Sequence, residues 1–387
     1  MRIAVFGGSF NPPHNGHVAA AKAAVRELSA DKLIIIPAAR APHKEQEQGS
    51  PSAEERYSLS RLAFGELPNT ELCDLELKRE GPSYTVDTLC ELKQLFPRDE
   101  LVLLMGSDMF LSFEKWKDFK KILELSSLAA FSRKHDEVAE ISRLADYYAK
   151  EYGARVIQIG LIPTEVSSTE LRYDLKNRSG NNLLPKLVYK EIIKKRYYSA
   201  LPNLAWLREN SYIYLDEKRI PHVAGCEQEA VRLAERWGAD KGLAAEAGIL
   251  HDITKKLLGS EQLILCEEYG IITDVDEKTN IKLLHSKTGA EFARDKFGIC
   301  SEVYSAIYWH TTGRADMTLL EKIIYMADYI EPTRSFEGVE ELRRLAYEDL
   351  DAAVIRGLQM SLEELEKKNC SPHSNSVKAL EWLETHK

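Results

Sequence analysis

Short apolar runs alternate with helix-spaced patterns through the first two hundred residues, and then the runs stop. Ile3–Phe6, Lys32–Ile36, Leu72–Leu77, Leu101–Met105, Leu128–Phe131 and Val156–Ile159 are brief, β-branched or leucine-rich, and bounded by Gly, Pro, Ser or Asp. They read as strands. Between and after them, residues 16–28, 53–65, 85–95, 109–124, 136–151, 168–177 and 185–195 read as helices. Such alternation predicts a parallel α/β sheet covered on both faces, with ligands beyond the carboxyl ends of the strands. After Tyr197-Tyr198-Ser199 almost everything carries apolar residues at three- and four-residue intervals, as in Glu227–Trp237, Leu243–Lys256, Lys287–Lys296, Leu319–Tyr329 and Ala352–Lys367. The expected organisation is an α/β domain over 1–200 followed by an all-α helical domain over 201–387, with no Gly/Ser linker and no internal repeat.

Charge sharpens the division. The chain has 387 residues and a net charge of −9, split as +1 over the first two hundred residues and −10 over the rest. An acidic second half argues against a nucleic-acid backbone as partner, since a polyanion calls for surplus Lys and Arg. Small phosphorylated ligands remain compatible, because a few cations, helix N-termini or metals can hold them. The longest apolar runs are far too short to span a bilayer, and the chain enters a strand at once, so neither a membrane segment nor a signal peptide is expected. Six cysteines without C-x-x-C spacing fit reduced thiols in a cytoplasm. Homo-oligomerisation is permitted but not specified.

The first strand runs straight into Gly7-Gly8-Ser9-Phe10-Asn11-Pro12-Pro13-His14-Asn15-Gly16-His17 and then a helix. Glycines at a strand end allow close backbone approach, and a helix N-terminus offers unpaired N–H groups to an anion. Neither G-x-x-x-x-G-K-[ST] nor G-x-G-x-x-G occurs there, which removes the common NTPase and dinucleotide-reductase readings. Two histidines three residues apart take their place. At helical spacing His14 and His17 share one face, where imidazoles can hydrogen-bond phosphate oxygens and stabilise developing charge.

The segment G-G-S-F-N-P-P-H-N-G-H resembles the signature of the H-x-G-H nucleotidyltransferases, which have a Rossmann-like parallel sheet. Within that superfamily the first half is similar to bacterial nicotinate-nucleotide adenylyltransferase. Ala41-Pro42-His43-Lys44, Ser83-Tyr84-Thr85-Val86-Asp87-Thr88-Leu89, Gly106-Ser107-Asp108 and Ser167-Ser168-Thr169-Glu170-Leu171-Arg172 support the match. Ser168 or Thr169 is expected to cap the following helix and leave its first amides to phosphate, with Arg172 one turn on. The resemblance implies that this segment holds the β- and γ-phosphates of ATP. ATP contacts are expected at Gly7, Gly8, Ser9, Phe10, His17, Gly106, Asp108, Ser168, Thr169 and Arg172. Asp108 is expected to end the fourth strand and meet a ribose hydroxyl or Mg²⁺. Lys44 would neutralise triphosphate charge. Thr85, Trp116 and Arg133 would bind nicotinate mononucleotide, Trp116 by stacking on the pyridine ring. The implied reaction is in-line attack of the mononucleotide phosphate on the α-phosphorus of ATP. The nucleophile is already an anion, so catalysis would be positioning and charge stabilisation by His14, His17, Lys44, Arg172 and Mg²⁺.

The helical half contains His222, His251-Asp252, His285, His310 and Asp328, a nitrogen and oxygen donor set that suits Fe, Mn, Zn or similar divalent ions. Ligands contributed by five helices can build a site inside a bundle. The ordered set H…HD…H…H…D resembles the HD phosphohydrolases. Arg219-Ile220-Pro221-His222-Val223, Gly248–Lys255, Tyr308–Gly313 and Ala327–Pro332 with Arg334 are similar to its branch of symmetrical diadenosine tetraphosphate hydrolases. That branch implies hydrolysis to two ADP at a divalent metal pair, iron in the first instance. Asp252 would bridge the pair, with His222, His251 and Asp328 on one metal and His285 and His310 on the other. Lys255, catalytic in this reading, would contact phosphate along with Thr312, Arg314 and Arg334. Alternatives are a helical half that only senses nucleotides, a transferase specific for pantetheine phosphate or nicotinamide mononucleotide, and a helical scaffold for partners.

Overall fold

The computed structural model describes residues 1–40, 49–132, 137–160, 166–273, 276–277 and 280–386. The chain divides into two compact units, Met1–Leu201 and Pro202–Lys387.

In the first unit the described strands are β1 (Arg2–Gly8), β2 (Lys32–Pro37), β3 (Thr70–Leu72), β4 (Glu100–Gly106), β5 (Ser127–Phe131) and β6 (Val156–Ile159). They form one sheet in the order β3-β2-β1-β4-β5-β6, every neighbouring pair parallel. The expected α/β architecture is therefore present. β1 lies centrally, registering Phe6 against Ile35 on one side and Leu104 on the other. Side chains alternate across a strand, and here both faces are dry. Ile3 and Val5 join Leu89, Leu103 and Leu128, while Ala4 and Phe6 join Ala20, Ala24 and Phe64. Each such aliphatic side chain, fully buried, contributes roughly 1.5–3 kcal/mol. The helices that matter for the site are α1 (Asn15–Glu27), α2 (Ala53–Phe64), α3 (Thr85–Leu95) and α4 (Ser168–Lys176). The strand order reverses at β1, where the chain turns first to β2 and later to β4, and that reversal opens a crevice at the carboxyl edge.

Two expectations fail locally. The run Leu72–Leu77 is not one strand: β3 ends at Leu72, and Leu75–Lys78 is a helical turn in which Leu77 N–H donates to Asp74 O at 3.0 Å. Its alternating pattern misleads because Glu76 is itself buried, accepting from the Thr88 hydroxyl at 2.7 Å. Residues 109–124 are not one helix either. They form a turn at Ser107–Phe110, a single turn at Phe113–Lys115 and a helix at Phe119–Leu125, broken by extended Trp116 and by Asp118 at φ 52°. A hydroxyl or carboxylate near a helix end offers the backbone competing bonds, and the Ser112 hydroxyl donates to Asp108 O at 3.0 Å.

The second unit is helical, and five of its helices frame the site: α5 (Ile220–Trp237), α6 (Lys241–Leu250), α7 (Leu284–Phe297), α8 (Ser301–Trp309) and α9 (Leu319–Ile330). Its core includes Leu233, Ala247, Leu250, Ile307, Ile323 and Met326. Every residue from Ala244 to Leu250 is buried, so α6 is a central helix surrounded by the others. The helix expected over Leu243–Lys256 stops six residues early. His251–Lys256 turn instead, and the Thr254 hydroxyl donates to His285 O at 3.0 Å. Gly248 lets α6 meet α5: a Cβ there would lie 2.7 Å from Glu227 Cα. That close approach delivers the end of α6 to the start of α5.

Candidate functional sites

In the first unit β1 passes through Gly7 and Gly8 into a loop that ends at α1. His14 is the N-cap of α1, with its imidazole accepting from His17 N–H at 3.4 Å, while His14 N–H donates to His17 Nδ1 at 3.2 Å. This reciprocal cap stacks the two rings, centroids 3.6 Å apart and planes within 22°. Phe10 packs edge-on to His17 at 5.1 Å, so the ring orientation is determined from several sides. The helix α4 is capped by Ser167, whose side chain accepts from Glu170 N–H; Ser168 and Thr169 occupy the first turn, a one-residue correction to the expected cap. Arg172, one turn further, donates to Asn11 O at 2.9 Å and to Thr169 Oγ1 at 3.2 Å. The guanidinium thereby ties the start of α4 to the loop after β1.

A cavity of about 1680 Å³ opens over the carboxyl edge. Gly7, Gly8, Ser9, Phe10 and His17 line it from the β1 loop, and Ser168, Thr169 and Arg172 from α4. Gly106 and Asp108 line it beyond β4, with Asp108 in the helical turn after the strand rather than ending it. Thr85, the first residue of α3, and half-buried Trp116 line the other side. His14 is buried and stands behind His17 instead of in the wall. Lys44, with Ala41–His43, and Arg133 lie outside the described residues.

Arg56 escaped the sequence reading. It sits on the buried face of α2 with Leu59, Ser60 and Phe64, donating to Ser9 O at 2.7 Å and Ala39 O at 2.9 Å, and it lines the same cavity. Burial pulls its pKa down, with Tyr198 and Glu54 opposing. An arginine amid apolar positions of a helix was the available signal.

In the second unit His222 lies in the first turn of α5, and His251 and His310 are the residues at the C-terminal ends of α6 and α8. His285 lies in the first turn of α7, and Asp328 in the last turn of α9. All four imidazoles are buried, and two groups form: His222, His251 and Asp328, then Asp252, His285 and His310. His222 Nε2 is 3.3 Å from His251 Nε2 and 3.0 Å from Asp328 Oδ1. His285 Nε2 is 3.1 Å from His310 Nε2 and 3.2 Å from Asp252 Oδ1. Asp252 faces both groups, because its Oδ2 lies 3.5 Å from His251 Nε2 and 3.7 Å from His222 Nε2.

These atoms fit divalent cations. Nδ1 of His251, His285 and His310 each lies 2.6–2.8 Å from a backbone carbonyl oxygen, Gly248, Lys282 and Ile307 respectively. A carbonyl only accepts, so Nδ1 carries a proton in each ring and the second nitrogen, Nε2, faces inward, where its lone pair can be offered to a cation. Lone pairs about 3 Å apart repel unless a cation lies among them; bonds of ~2.0–2.1 Å to one ion produce such spacings. Asp252 Oδ1 is likewise buried without a hydrogen bond. Burial raises the Asp252 carboxyl, but the imidazoles of His251, His285 and His310 outweigh it and hold it well below the usual range. Asp328 behaves alike, burial being overcome by His222, His251 and Arg334. Burial lowers the His310 imidazole to about 4, keeping it neutral.

Lys255 Nζ lies 2.9 Å from His285 Nε2 and 3.9 Å from Asp252 Oδ1. Arg334 donates to Asp328 Oδ1 at 2.6 Å, whereas Arg314 pairs with buried Glu321 at 3.0 Å and Thr312 donates to Gly313 O. Two further groups went unassigned at the sequence level. Arg219 donates to Asp252 Oδ2 at 2.6 Å, and buried Glu331 meets His222 Nδ1 at 2.9 Å. Spacing offered a faint cue, since both flank ligand positions along their helices.

Comparison with known proteins agrees with both halves. A family model described as cytidylyltransferase-like matches residues 5–173, and one described as HD domain matches residues 219–333. A Mycoplasma pneumoniae protein named probable nicotinate-nucleotide adenylyltransferase/Ap4A hydrolase is 29% identical over 356 residues, 90% of this chain and 96% of its own length. A Thermus thermophilus protein named probable nicotinate-nucleotide adenylyltransferase is 38% identical over 199 residues, 51% of this chain and 100% of its own length. A solved structure from Clostridium acetobutylicum, titled a predicted HD superfamily hydrolase involved in NAD metabolism, is 38% identical, covers 47% of this chain and 97% of its own, and has a TM-score of 0.46. Through its first unit the chain belongs to the nicotinate-nucleotide adenylyltransferase family, and in its second it carries an HD domain.

Proposed function

We propose that the chain is a bifunctional enzyme. The first unit joins ATP and nicotinate mononucleotide into nicotinate adenine dinucleotide and pyrophosphate, a step of NAD biosynthesis. The observation that carries this is the cavity of about 1680 Å³ with the cradle on one side and Thr85 and Trp116 on the other. Single-ligand pockets run about 300–1,000 Å³, so this one has room for two nucleotides at once, which group transfer requires. A phosphate oxygen of the mononucleotide bonds to the α-phosphorus of ATP as the α–β bridging bond breaks, and pyrophosphate leaves with the electron pair. His14 orients His17, which faces the transferring phosphate. The first-turn amides of α4, with Ser168, Thr169 and Arg172, hold the outer phosphates, and Lys44 adds charge there. Gly7, Gly8, Ser9 and Phe10 let the chain approach ATP closely, with Gly106 and Asp108 at the adenosine side. Thr85, Trp116 and Arg133 receive the pyridine nucleotide. Mg²⁺ would supply charge neutralisation on the triphosphate.

The second unit hydrolyses a dinucleoside polyphosphate, diadenosine tetraphosphate to two ADP in the leading reading. His222, His251 and Asp328 would hold one divalent ion, His285 and His310 a second, and Asp252 would bridge them; iron is the expected metal. Such a pair supplies Lewis acidity and lowers the pKa of water. Lys255, lowered by burial against the pull of Asp252 and Asp328, stands beside the ligands as the phosphate-contacting cation. Small nucleotides are the proposed partners, and the cytoplasm the proposed location; all six cysteines are free thiols. No described helix is long and apolar enough to cross a membrane.

The test is direct. Purified protein given ATP and nicotinate mononucleotide should release one pyrophosphate per dinucleotide, and diadenosine tetraphosphate should yield two ADP. Absence of pyrophosphate removes the transferase assignment; ATP plus AMP as products removes symmetrical cleavage.

A further inference from the structure

The four inward histidines are not held alike. His251, His285 and His310 each direct Nδ1 at a neutral backbone carbonyl, whereas His222 Nδ1 meets a carboxylate, Glu331 Oε1, at 2.9 Å. Glu331 is completely buried, and two further donors hold it: Thr333 N–H at 2.7 Å and the Thr333 hydroxyl at 2.5 Å. Space for it is made by Gly225, one turn after His222 on α5, where any Cβ would collide with Glu331 Oε2. A buried carboxylate is costly unless paired, so this pocket has been shaped around a charge aimed at one imidazole. A carboxylate behind a histidine raises the basicity of its far nitrogen and fixes the ring.

His285 and His310, the imidazoles of the other group, are backed by carbonyls and not by a carboxylate. Cations adjoin both groups: Lys255 Nζ lies 2.9 Å from His285 Nε2, while Arg334 donates to Asp328 Oδ1 and Arg219 to Asp252 Oδ2, each at 2.6 Å. Like-charge repulsion therefore acts at both positions, and the Glu331 carboxylate is the feature that sets them apart.

We infer that the two cation positions are unequal, the His222–His251–Asp328 position binding more tightly because Glu331 positions His222. This rests on the reading of the second unit as a two-metal site. Glu331 is a positioning residue: it touches no substrate and acts through His222.

Graded chelation of the full-length protein loaded with Mn²⁺, followed by metal analysis per chain, tests it. The wild-type chain should fall from two ions to a plateau at one. In Glu331→Gln, which keeps the shape and loses the charge, the plateau should shift to about 10–100-fold lower chelator or vanish. Thr333→Val, a milder change that frees Glu331 without removing it, should shift the plateau in the same direction as Glu331→Gln and covers the case in which that variant does not fold. Loss of both ions in one step from the wild type, or an unchanged plateau in the Glu331 and Thr333 variants, overturns the inference. Failure of the wild type to bind any ion overturns the two-metal reading beneath it, a separate result.

Discussion

Asp252 is the side chain on which the second site turns. Its oxygens face both groups, it is fully buried, and the imidazoles around it keep it ionised. Asp252→Ala should therefore empty both cation positions and abolish hydrolysis while leaving pyrophosphate release intact; metal analysis and the two assays on one preparation check this. His17 has the corresponding place in the first unit. His17→Ala should lower transfer on the order of 10²–10³-fold, the usual loss for one stabilising donor, with hydrolysis unchanged. A comparable fall in both activities contradicts separate sites. The candidate donors were legible along the chain because the donor types recur in a recognisable order. Glu331 and Arg56 were passed over, because a charged residue in a helical pattern is read first as a surface position and only tertiary packing shows these two buried.

Among elements, α6 does the most to build the site. It is buried on every side from Ala244 to Leu250, so it packs centrally and carries His251 and Asp252 inward at its end. Gly248 sets how near it comes to α5. In Gly248→Ala the new methyl meets the α5 backbone, and overpacking of this kind costs about 1–3 kcal/mol. The expected outcome is a lower Tm together with weaker metal retention, since His251 moves away from His222; thermal melts and metal analysis read the two effects. On α4 the cap belongs to Ser167, and Ser167→Ala should cost about 1 kcal/mol of helix stability and weaken ATP binding, measured as a raised KM. Strand and helix periods identified most elements. Leu72–Leu77 and residues 109–124 went astray because buried Glu76 mimicked an outward strand position and left-handed Asp118 interrupted an otherwise helical spacing.

At the scale of the whole molecule, each unit has its own core. Calorimetry of the full chain should then show two transitions. A ligand that binds only the native state raises its own unit's transition, so a non-hydrolysable ATP analogue should raise one and a chelator lower the other. A single transition shifted by both additives would contradict this. The amino-acid sequence alone determined the two architectures, the change between them near residue 200, and the order of the candidate phosphate-handling and metal-ligating residues, because periodicity and motif spacing are local properties of the chain. Tertiary structure decided the rest: which three donor side chains come together, that Asp252 faces both groups, and that Glu331, a buried carboxylate, backs His222. Those facts depend on distances between residues tens to more than a hundred positions apart, set by how closely whole helices pack.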